Sequence, residues 1–174
     1  MTLVEVMVAL VILTVSTYML SSTIMAAVAH AEIKRERALA VEAAMNTLEA
    51  MRAHRFSDLH ALYNDDPADD PGGAGTAPGS GFVAVGLDPI TDDADGLVGR
   101  ILLPSMGATM FEHLEVADLG MPRDLDGDLQ IDRDDHAQDY MILPVKVFIE
   151  WEGGSGRRVF EMSTMFSEMR KTGP

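Results

Sequence analysis

The chain has 174 residues, a net charge of −15 and no cysteine. A cysteine-free chain excludes disulfides, iron–sulfur clusters, covalently attached haem and Cys-based zinc sites. The charge is concentrated in one stretch: Asp58 to Asp139 holds 19 Asp/Glu against three Arg (Arg100, Arg123, Arg133), an acidic surface that repels nucleic acid and attracts cations.

The first element is apolar. Glu5 is the only charge in the first 29 positions, and Val6–Ala29 is an uncharged run of 24 residues. Roughly 20 apolar residues are enough to cross a bilayer, and a carboxylate at the tip of such a run is a functional-site candidate. An ordinary signal peptide has a basic region ahead of its apolar core. Here the basic cluster Lys34, Arg35 and Arg37 follows the core instead. By charge alone that cluster places the rest of the chain in the cytoplasm; removal of a basic leader ahead of Met1 reconciles it with export.

The stretch Met1-Thr2-Leu3-Val4-Glu5-Val6-Met7-Val8-Ala9-Leu10-Val11-Ile12-Leu13 resembles the mature N-terminus of type IV pilins and type II secretion pseudopilins. The resemblance implies that a prepilin peptidase removes a short basic leader and that the new N-terminal amine, on Met1, is methylated. It also implies an assembly role for Met1 and Glu5, in which Glu5 of one subunit meets the amine of a neighbour in a staggered helical stack. A buried carboxylate is tolerated when paired in this way. The local alternative is a solvated helix-start carboxylate favoured by the macrodipole. Many major pilins carry Gly or Pro in this arm, whereas here the first Gly or Pro is Pro67, with Thr14 and Ser22 where breakers often sit. An intact helix is therefore expected.

From Ala29 to about Phe56 the pattern turns amphipathic, with Val41, Met45 and Leu48 as the apolar stripe. One helix over 2–56 would be roughly 80 Å long, and its Met7, Met19, Met25, Met45 and Met51 read as adaptable packing. Tyr63–Gly81 is a Pro/Gly/Asp-rich connector. Short strands are expected at 82–85 and 97–103, with a weaker one at 111–116. Val145, Val147, Ile149 and Trp151 alternate with Lys146, Phe148 and Glu150, Arg158–Phe166 is similar, and Gly153-Gly154-Ser155-Gly156 between them reads as a hairpin loop. Pro144 belongs at the strand entrance or on an edge. The expected fold is α+β: a hydrophobic helix (1–29), then a globular part (30–174) in which helix 30–56 packs on a small antiparallel sheet. The pilin family's ladle shape is of this kind.

Asp124-Leu125-Asp126-Gly127-Asp128-Leu129-Gln130-Ile131-Asp132-Arg133-Asp134-Asp135 resembles an EF-hand-like or dockerin-type calcium loop. Calcium gathers six to eight oxygens around one point. The expected ligands are Asp124, Asp126, Asp128, the Gln130 carbonyl, Asp132 and Asp135. Leu129 stands at the usual Gly turn position and Asp135 replaces the usual Glu. A second acidic cluster, Asp92-Asp93-Ala94-Asp95-Gly96, reads as a turn.

No catalytic constellation is visible: the five histidines form no HExxH pair, there is no nucleophile elbow, and His136 reads as a surface residue. Basic stripes interleaved with aromatics are also missing, so no nucleic-acid partner is expected. The expectation is a non-enzymatic filament subunit with calcium as cofactor. It would be held in the bacterial inner membrane as a single-pass precursor and later extracted into a periplasmic or extracellular fibre. Its partners would be copies of itself or homologous subunits, the inner-membrane assembly machinery and prepilin peptidase. The alternative is a membrane-anchored, calcium-dependent adhesin or binding module with an unprocessed N-terminus and no polymer.

Overall fold

A computed structural model describes residues 2–91, 93–154 and 156–168. Helix α1 runs unbroken over Leu3–Arg52. Its hydroxyl side chains fold back on the helix instead of interrupting it: Thr14, Ser16, Thr17 and Thr23 donate to carbonyls one turn earlier at 2.8–3.0 Å. The helix ends a few residues short of Phe56. Its last turn tightens as His54 donates to the Met51 carbonyl at 3.1 Å.

The chain divides into two compact units, one up to Ala38 and one from Leu39 onward. In the first, every described residue from 2 to 35 is exposed. This part of α1 is long and apolar enough to cross a membrane.

In the second unit a four-stranded antiparallel sheet has the order β1 (Gly81–Phe82), β2 (Gly99–Leu102), β5 (Ile142–Gly153), β6 (Gly156–Ser167); β3 (Ser105–Met106) and β4 (Thr109–Met110) form a separate small hairpin. Leu143, Val145, Val147, Ile149 and Trp151 of β5 point to one face and are buried, as the period of two requires. Ala40, Ala44, Leu48 and Met51 of α1 join them in the same core. The expected stripe is therefore corrected: Met45 is 54% exposed, and the buried line runs one position earlier through two alanines. Small residues let the helix backbone approach the sheet closely, while Met45 lies about 100° around the helix from Ala44. Pro144 pairs with Met165 of β6, but β2 reaches only as far as Lys146, so no neighbour is expected to need the missing N–H on that side.

The strand expected at 111–116 does not form. The chain there is irregular, and Glu112 is buried in it with its carboxylate committed to backbone groups of a distant loop. Tyr140 fixes the other approach to β5. Its hydroxyl donates to the Phe56 carbonyl at 2.5 Å and accepts the His60 N–H at 3.2 Å, and burial pushes its phenol up to about 12.

Candidate metal centre

The loop 124–135 is built on side chain to backbone hydrogen bonds. Asp124 accepts the N–H groups of Gly127 at 2.6 Å and Leu129 at 2.8 Å. Asp126 accepts from Asp128 at 3.0 Å, Asp128 from Gln130 at 2.7 Å, and Asp132 from Asp134 at 2.8 Å. These Asx turns wind the chain tightly, and Gly127 (φ +83°) and Leu129 (φ +70°) take the left-handed conformation that the winding needs. Leu129 does so with a side chain 91% exposed. The sixth position thus has the conformation for which a glycine is ordinarily chosen.

The winding brings Asp124, Asp126 and Asp128 together, one carboxylate oxygen from each lying within 4.8 Å of the others. Of the remaining expected side-chain ligands, Asp132 and Asp135 do not join that group. Gln130 is exposed, with its backbone and side-chain amides turned to Asp128. Asp132 bonds His136, and Asp135 spends one oxygen on the N–H groups of Met110 and Ala137, both at 3.0 Å.

Two residues that organise the loop escaped the sequence reading. Glu112, 1% exposed, accepts the N–H of Leu125 in a short hydrogen bond, that of Asp126 at 3.4 Å and that of Asp132 at 3.3 Å. It is the buried post on which both limbs of the loop hang. His136 is 4% exposed, which corrects its expected surface position. The Asp-rich segment folds back over it, and its N–H donates to the Met110 carbonyl at 3.0 Å.

The ring of His136 is enclosed by carboxylates: Asp132 at 3.0 Å and Glu112 at 4.0 Å from Nε2, Asp139 at 3.2 Å and Asp126 at 3.8 Å from Nδ1. Burial alone would lower its pKa, but the hydrogen bond to Asp132 and the nearby Glu112 and Asp139 outweigh that and hold it above the ordinary value. Asp132 is held below the usual carboxylate range by the Asp134 N–H and by His136.

The second acidic cluster behaves as a turn. Asp93 and Asp95 pair with Arg100 at 3.4 and 2.8 Å, and Asp92 lies outside the described residues. Of the two expected assembly residues, Met1 also lies outside the described residues. Glu5 sits in the first turn of α1, with its N–H donating to the Thr2 carbonyl at 3.0 Å and approaching the Thr2 hydroxyl at 3.4 Å. Comparison with family models, with curated proteins and with solved structures finds no match.

Proposed function

We propose that the chain is a structural subunit of a type IV pilus-like filament or pseudopilus, held in the inner membrane before assembly and polymerising through the first part of α1. The observation that carries this reading is a single carboxylate, Glu5, in the first turn of a helix whose apolar segment is covered by none of the described residues. Such a surface requires lipid or other helices around it. In a packed stack of parallel helices, Glu5 is tolerable only with a cationic partner, and the terminal amine of a neighbouring copy supplies one.

The role is architectural, with the second unit as the outer coat and no reaction assigned to it. Calcium is the proposed cofactor. Asp124, Asp126 and Asp128 offer the hard oxygen donors that calcium takes, on a loop already wound into the required turn. Held between Glu112 and the start of β5, a calcium-filled loop would brace a domain that has no cysteine to staple it.

Thr2 and Glu5 stand at capping-box spacing, which gives Glu5 a competing local role. Glu5→Gln separates the two, because glutamine serves at that capping position but carries no charge. The variant is expected to fold and insert normally yet fail to enter filaments. Normal incorporation of Glu5→Gln would contradict the pairing role.

A further inference from the structure

We propose that Glu112, Asp126 and His136 form a second cation position, of mixed nitrogen and oxygen donors, that takes a divalent first-row transition ion, zinc foremost. One ligand atom from each of the three lies within 4.8 Å of the other two. Zinc binds imidazole nitrogen at about 2.0–2.1 Å and carboxylate oxygen at about 2.0–2.2 Å, so its donors sit roughly 3.3 Å apart. The donors present need to close by no more than about 1.5 Å.

This group differs in kind from the exposed aspartates above it. Glu112 and His136 are 1% and 4% exposed, and an imidazole stands among the oxygens. Four carboxylates lie within 4.0 Å of that ring, and among the described residues no Lys or Arg comes within that distance of any of them. Even protonated, the ring offsets one of the four. Asp132 and Asp139 are partly open to solvent, but Glu112 is 1% and Asp126 20% exposed at the side chain; a divalent cation there offsets negative charge that a single imidazole leaves in excess.

The donor set selects the ion. Calcium prefers six to eight oxygens, whereas imidazole with carboxylate suits zinc and its first-row neighbours. The surroundings are those of a supported site as well. Backbone N–H groups orient the Glu112 carboxylate. Asp132 and Asp139 bond opposite ring nitrogens, so whichever nitrogen the ion takes, a carboxylate on the other side fixes the tautomer. Asp126 belongs to both groups, so zinc and calcium are expected to compete.

The test uses the full chain in detergent, stripped by chelator and titrated separately with Zn²⁺ and Ca²⁺ while Tm is followed. Zn²⁺ is expected to act at concentrations at least about tenfold lower than Ca²⁺. His136→Gln should weaken the zinc response by more than about tenfold, the loss that even an outer-shell partner can cost, and leave the calcium response in place. Equal zinc responses in wild type and His136→Gln, or no preference for zinc in the wild type, would overturn the proposal. Should His136→Gln fail to fold, ¹⁵N-histidine NMR of the wild type decides. The His136 ring signals must move with stoichiometric zinc, and their standing still would overturn the site.

Discussion

Glu112 accepts the backbone N–H of Leu125 across 13 positions of sequence, with Leu125 0% and Glu112 1% exposed. One buried carboxylate thereby holds the entry of the acidic loop and, through Asp132, its return limb. Glu112→Ala should destabilise the chain by about 2–4 kcal/mol, because buried N–H groups lose a charged acceptor. Glu112→Gln, which keeps one acceptor oxygen, should cost less. Denaturant unfolding of the metal-free protein measures both, and an Ala variant within about 0.5 kcal/mol of wild type would contradict the role.

Calcium should raise Tm and chelator should lower it, since a ligand that binds only the folded state stabilises it. At a hundredfold excess over Kd the gain is about 2.7 kcal/mol. Asp124→Asn and Asp128→Asn should each blunt the response, and no shift of the wild type at millimolar calcium would count against the site.

Leu129 holds its left-handed backbone with a side chain that packs on almost nothing. That conformation costs a non-glycine residue roughly 1–2 kcal/mol, against roughly 0.5–1 kcal/mol of extra chain entropy that glycine loses on folding. Leu129→Gly should thus leave stability unchanged or raise it by up to about 1.5 kcal/mol. Leu129→Val should lower it, because a β-branched residue is a worse occupant of that region. Urea titration of the two variants gives the order, and a reversed order would contradict the strain.

His60 is 1% exposed, and its Nε2 has no hydrogen-bond partner among the described residues. Burial lowers its pKa from 6.5, against the pull of Asp69 and Asp135. Between the folded and unfolded pKa values the unfolded chain binds more protons. Stability should therefore fall as pH drops below 6.5 and level off beneath the folded pKa. His136 acts with the opposite sign, adding stability below 6.5 that is lost as pH rises through its raised folded pKa. Comparing wild type with His60→Gln at pH 7 and pH 5 isolates His60: the variant should lose less stability on acidification. An equal loss in both would contradict the assignment.

Patterns within one element were legible in the sequence. The alternation of Val145, Val147 and Ile149 foretold β5 and its hairpin partner, and the apolar run foretold the first part of α1. The Asp spacing located the tight loop, because Asx turns are local chemistry. What stayed hidden depends on distant contacts. The burial of Glu112 follows from N–H groups 13 to 20 residues away, and that of His136 from a segment folding back over it. Periodicity of large apolar residues points to Met45, whereas close packing on the sheet buries the small Ala44 instead. The β3–β4 hairpin was missed because two strands of two residues leave too little pattern to read.

Electron microscopy of the purified chain after detergent removal decides whether filaments form. Helical fibres whose core is built from the apolar part of α1 are the expected result. Single, unassembled anchored particles under every assembly condition would contradict it.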